Sequence, residues 1–194
     1  MKYVKFVLFS MVVLAFTGCA IRSNHMTAVG SSIIKPEPNK ALIQFFRASE
    51  HGLAVQATIY DGKQYIETVS DMTRVGYQAE PGNHIFMVMG QNVDFMEATL
   101  DAGKTYYVQI MPRTGMWKAR FSFRPIKDPK HEKKLFWLGL LTLVKPNEKG
   151  YAWAKANADS IIKKHDKYLP KWWGKTDRQI LYSSYGDDGY VLMK

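Results

Sequence analysis

From Ala41 onward the chain alternates short runs of β-branched and aromatic residues with polar punctuation. The runs are ALIQFFRA (41–48), AVQATIY (54–60), KQYIETV (63–69), RVGYQAE (74–80), HIFMVM (84–89), VDFMEATL (93–100), KTYYVQIM (104–111) and WKARFSF (117–123). Between them stand Asp61-Gly62, Pro81-Gly82 and Asp101-Ala102-Gly103. Proline fixes φ and glycine accepts φ > 0, so these are the residues tight turns require. Strands of this length and spacing, with no competing helical period, predict a mainly β fold: an antiparallel sandwich or barrel. Of the two we adopt an antiparallel β-sandwich of about eight strands. Alternation sends Tyr106 and Tyr107 to opposite faces, one into the core and one with its hydroxyl outside.

The last run alternates most sharply. Trp117, Ala119, Phe121 and Phe123 fall on one face, and Lys118, Arg120, Ser122 and Arg124 on the other. Such a basic row suits a carboxylate or phosphate surface, and it equally protects an edge strand from aggregation, the commoner use. After Pro125 the pattern changes to a charged stretch, Asp128 to Lys134, and then the apolar run LFWLGLLTLV (135–144). That run is too short to span a bilayer; it packs against the sandwich or enters the membrane interface, and core packing is the simpler use. Asn147 is a candidate N-cap for a helix from about Glu148 to Leu169, closed by Pro170. Ala154, Ala158, Ile161, Ile162 and Tyr168 are its expected buried stripe, with Lys155, Lys163, Lys164 and Lys167 mainly outward.

Ahead of the strands, Lys2 and Lys5 precede an apolar run, Phe6 to Phe16, and the small residues Thr17-Gly18, which end at Cys19. This is the layout of a secretory signal, and its apolar part is about half of the ~20 residues a spanning helix needs. A signal ending in small residues and Cys resembles the bacterial lipobox, although Phe16 stands where leucine is usual. The resemblance implies cleavage after residue 18 and acylation of the Cys19 thiol. Cys19 is the single cysteine of the chain, so on this reading no thiol remains for catalysis, metal binding or a disulfide. The expected organisation is a signal (1–18), a lipidated Cys and tether (19–39), a sandwich (40–125) and a basic, partly helical extension packed on it (126–194).

Charge sharpens this picture. The 194-residue chain carries a formal +10, and residues 125–194 hold 14 basic and 8 acidic groups against 11 and 9 in residues 20–124. A basic end suits anionic lipid, an acidic envelope protein or a cell-wall polymer; export argues against nucleic acid. The bland reading is a solvated lysine-rich surface.

The segments KPEPNKALIQFFRAS, IYDGK, GYQAEPGNHIF and LDAGKTYYV resemble the bacterial lipoproteins grouped as domain of unknown function 2846, over roughly Lys35 to Pro112. The resemblance implies an exported β-sandwich held on a lipid and implies no activity. By analogy with lipoprotein sorting, Ala20 after the cysteine implies the outer membrane, facing the periplasm.

Catalytic patterns fail. There is no Walker loop, no G-x-S-x-G, and His131-Glu132 lacks the second histidine of HExxH. Asp187-Asp188 between glycines reads as a turn. Thioethers near His84, namely Met87 and Met89 with Met96, Met111 and Met116, suit Cu(I), yet methionine is ordinary core filler. We therefore expect no enzyme and no cofactor. The expected function is a lipid-anchored binding or structural module of the envelope, with Lys118, Arg120, Arg124, Lys163, Lys164 and Lys167 as its contact surface. The alternative is a periplasmic ligand or copper carrier using His84, Met87 and Met89.

Overall fold

A computed structural model describes residues 23–30, 34–48, 55–113, 120–129 and 138–187. The eight expected strands are present as β2 (Ala41–Arg47), β3 (Ala57–Asp61), β4 (Gln64–Val69), β5 (Thr73–Ala79), β6 (Gly82–Met89), β7 (Val93–Leu100), β8 (Thr105–Arg113) and β9 (Arg120–Pro125). Three more come from regions expected to lie outside the sandwich: β1 (Met26–Ala28), β10 (Thr142–Pro146) and β11 (Gln179–Leu181). They form a six-stranded sheet in the order β1-β10-β5-β2-β8-β9 and a five-stranded sheet in the order β11-β7-β6-β3-β4. The turn glycines behave as the sequence requires: φ is +54° at Gly62, +124° at Gly82 and +78° at Gly103.

The sheets are mixed, not purely antiparallel. β2 runs parallel to β8, β10 parallel to β5, and β11 parallel to β7. Turn punctuation reports only where the chain reverses. Asp61-Gly62 closes the β3–β4 hairpin, but Pro81-Gly82, expected to pair the strands on either side of it, carries the chain from one sheet to the other, as does Asp101-Ala102-Gly103. The parallel pairs join strands far apart along the chain. The tether and the extension are accordingly woven into the fold: β1 pairs with β10, so residues 26–28 belong to a sheet edge.

Between the sheets lies the main core. Ile43 and Phe45 of β2, Tyr106, Val108 and Ile110 of β8, and Phe121 and Phe123 of β9 meet Ile59, Phe86 and Met96 from the opposite sheet. Tyr106 uses its hydroxyl inside, accepting the Asp101 N–H at 2.8 Å. Tyr107 is also buried, contrary to the expected exposed hydroxyl, because the outer face of the six-stranded sheet is covered. There Phe46, Tyr107 and Ile126 pack with Leu138 and Leu141. The apolar run therefore packs on the sandwich through Leu138, Leu141, Leu143 and Val144, while Leu140 stays exposed.

The other outer face is covered by helices. α1 (Glu148–Ala156) begins at Asn147, whose Oδ1 accepts the Gly150 N–H at 3.0 Å as the N-cap pattern predicts. The single helix expected from 148 to 169 is divided at Asn157, whose Nδ2 donates to the Trp153 carbonyl at 2.8 Å. α2 (Ala158–Trp173) then runs through Pro170 instead of stopping before it. An interior proline costs about 3 kcal/mol, offset here by the burial of Trp172 beyond it, 6.0 Å from the Phe95 ring.

The buried stripe of α2 is Ile161, His165 and Trp172, with Leu169 half-buried; it packs on Tyr60, Met87, Met89 and Phe95. Ile162 and Tyr168, expected inside, are exposed. The helix is rotated from the expected phase because the stripe i, i+4, i+8, i+11 includes a histidine and reaches a tryptophan past the proline. Ile161→Ala should therefore lower stability by about 2–4 kcal/mol and Ile162→Ala by under about 0.5 kcal/mol in denaturant unfolding. Equal losses would contradict this phase.

Candidate functional site

With one stripe of α2 fixed to the sheet, the opposite stripe is presented rigidly to solvent. It carries Lys163 and Lys167, and Lys164 and Lys171 stand on its flank, all exposed. Tyr168 borders the buried stripe on that flank, 38% exposed, with the Lys167 ammonium 5.5 Å and the Lys171 ammonium 5.8 Å from its ring. Lys164 leans toward the sheet, its Nζ 4.0 Å from Met89 Sδ. On the flank, Asp166 is held by Lys63 of the β3–β4 turn, 3.0 Å away, and by His165 Nδ1 at 2.8 Å. Those two partners hold its carboxyl below the usual carboxylate range. The acid is thus already paired, and the lysines dominate the exposed face.

Lys171 and Tyr168 were not assigned to this surface by the sequence. A helix closed at Leu169 excludes Lys171, although its i, i+4 spacing from Lys167 marks the same side.

The basic row on β9 is divided in the fold, with Arg124 engaged in the sheet and Arg120 exposed. Lys118 and Cys19 lie outside the described residues. β9 is an edge strand, and Arg120 is exposed at its start. Ser122 is buried, and Arg124 donates from Nη1 to Gln109 Oε1 at 3.1 Å on the covered outer face. Arg124 therefore braces the sheet.

The thioether set is not brought together with its histidine. Met87 and Met89 lie under α2, whereas His84 stacks on Phe86, whose side chain belongs to the core between the sheets. His84 Nδ1 is 2.8 Å from Asp61 Oδ2, and Nε2 is 2.8 Å from the Glu80 carbonyl oxygen. Both ring nitrogens are engaged, and no group of three or more His, Cys, Asp or Glu among the described residues is placed to hold a metal.

Asp61 also accepts the Tyr77 hydroxyl at 3.0 Å, so one carboxylate joins β3, β5 and β6 across the two sheets. Burial, reinforced by Asp61, pushes the Tyr77 phenol up. At the opposite end of the sandwich, Asp94 sits 3.5 Å from both Arg113 and Lys175. Burial raises its carboxyl, and the two cations partly offset that rise. Arg47, fully buried, donates to the Val55 carbonyl and lies 4.9 Å from the Phe121 ring. Burial lowers its guanidinium, opposed by Asp71. These charges close the ends of the sandwich.

Glu67 is the least compensated of them. Its Oε1 accepts the Thr68 N–H at 2.7 Å and the Tyr65 hydroxyl at 3.4 Å, and its buried Oε2 has no partner among the described residues. Burial pushes the carboxyl up to about 8 from 4.5.

A scan against protein-family models finds none that matches the chain, and a search of curated proteins finds no similar one. Among the described residues no helix is long and apolar enough to cross a membrane.

Glu67 yields a pH test. The folded chain keeps the Glu67 proton where the unfolded chain has released it, so stability falls as pH rises from about 4.5 to about 8. Glu67→Gln should flatten that fall and, at pH 8, stabilise by on the order of 2–4 kcal/mol relative to the parent. Thermal unfolding at pH 5 and pH 8 reads the difference; a variant that keeps the slope would show that Glu67 is not its source.

Proposed function

We propose that the chain is a lipid-anchored, non-catalytic binding module of the bacterial envelope, held at the outer membrane through Cys19 and facing the periplasm, and that it holds an acidic envelope polymer on the outward face of α2. The observation that carries the reading is the exposed side of α2: Lys163 and Lys167 projecting outward, with Lys164, Lys171 and the half-exposed Tyr168 on the flank, from a helix whose other side is locked to β7 by Trp172 and Ile161. A fixed row of cations beside an aromatic ring suits a polyanion of sugars or phosphates, because charge supplies long-range attraction and the ring supplies a stacking surface. Asp166 is paired within the fold, and Asp159, exposed four residues before Lys163, is outnumbered by the lysines, which leaves the face net positive. The resemblance to the lipoproteins of domain of unknown function 2846 agrees with an anchored sandwich.

Binding of this kind weakens with salt. Retention of the protein on purified anionic cell-wall polymer should fall steeply with ionic strength, and Lys163→Glu with Lys167→Glu should abolish most of it while leaving thermal stability near the parent. Arg120→Glu should have the smaller effect. Retention that ignores salt and both lysine changes would refute the reading.

A further inference from the structure

The leash between Cys19 and the folded domain is far shorter than the sequence pattern suggests. Ser23 is already docked: it is buried, and its N–H donates to Ser70 Oγ at 3.0 Å. His25 N–H donates to Ser23 Oγ at 3.1 Å, and the His25 ring stacks on Trp153 of α1 at 5.3 Å. Asn147 ties in from both sides, its N–H donating to the His25 carbonyl at 3.1 Å and its Nδ2 to the Asn24 carbonyl at 3.1 Å. The first turn of α1 presses on the same backbone, since a Cβ on Gly150 would stand 2.5 Å from the His25 carbonyl oxygen. Three residues, Ala20, Ile21 and Arg22, are all that separate Cys19 from this clamp.

Four extended residue steps reach at most about 14 Å. We propose that, with lipid on Cys19, the domain lies directly against the bilayer on its β1–α1 side, where Lys145, Lys149, Tyr151 and Lys155 meet anionic lipid headgroups. The inference rests on the lipidation reading above. The length of the leash and the place where it ends choose the side, and the chemistry of that side fits the occupant. Lys145, Lys149 and Lys155 are exposed, and Tyr151 is 56% exposed. Glu148 is the single exposed acid of α1. Lysine stems lie along the acyl boundary while their ammonium groups reach phosphates, and tyrosine favours the same depth.

The test uses residues 19–194 coupled through the Cys19 thiol to a maleimide phospholipid in vesicles of phosphatidylcholine and phosphatidylglycerol. A benzophenone side chain replaces Tyr151 in one sample and Arg120 in another; Arg120 is on β9, at the opposite edge of the six-stranded sheet from β1, and those two edge strands are five spacings or about 24 Å apart. Photolysis should give several-fold more lipid adduct at 151 than at 120, and Lys149→Glu with Lys155→Glu should reduce the yield at 151. Equal yields, or none at 151, would overturn the docking whatever the cell does to Cys19. The intact mass of the chain extracted from bacterial membranes tests the anchor separately, and an unmodified Cys19 would overturn the proposal at that step.

Discussion

Every residue of β2 is buried, and the rest of the architecture follows from that. A strand with water on one face alternates; Ala41–Arg47 does not, because Ile43 and Phe45 enter the inter-sheet core while Leu42, Gln44 and Phe46 need cover of their own. The cover comes from residues far along the chain, chiefly Leu138 and Leu141 over Phe46. The polar members of the covered face find partners there: Arg74 Nη1 donates to Gln44 Oε1 at 2.9 Å, and Gln109 Nε2 donates to the Ala48 carbonyl at 3.3 Å. The second sheet has the same need, met by α2 over Met87, Met89 and Phe95. Two sheets and two outer coverings make the C-terminal third part of the core.

Strand positions were legible in the sequence because turn chemistry is local. Asp61-Gly62 marks the β3–β4 hairpin and Pro81-Gly82 the turn by which the chain passes from one sheet to the other, and each expected strand lies within a few residues of its place. Non-local facts were not legible. Nothing in KTYYVQIM states that β8 runs parallel beside β2, and nothing in Met26–Ala28 marks a strand, since three residues have no usable period. The phase of α2 failed for a different reason: hydropathy ranks Ile162 and Tyr168 above His165, yet His165 fits the stripe and bonds to Asp166 as it enters. Arg124 shows the same limit, because whether a charged row faces water depends on what the remainder of the chain lays over the sheet.

The ionisable groups divide by use. Inside, Asp61, Asp94 and Arg47 act as fasteners at the two ends of the sandwich, each joining elements that share no hairpin. Outside, the lysines of α2 are held apart from those fasteners by a full layer of apolar side chains. Changes to the exposed set should therefore leave the fold intact, a separation that lets surface charge vary without loss of the scaffold.

β10 lies between β1 and β5, and β11 covers the flank of β7. The β5 edge thus stays unpaired until residue 146 is available and the β7 edge until residue 181. Closure of such distant pairs is slow, and an incomplete chain offers backbone donors and acceptors to any neighbour in the same state. A premature stop before Thr142 would leave β5 as an open template, and the damage would be self-association of the fragment as well as loss of the missing part.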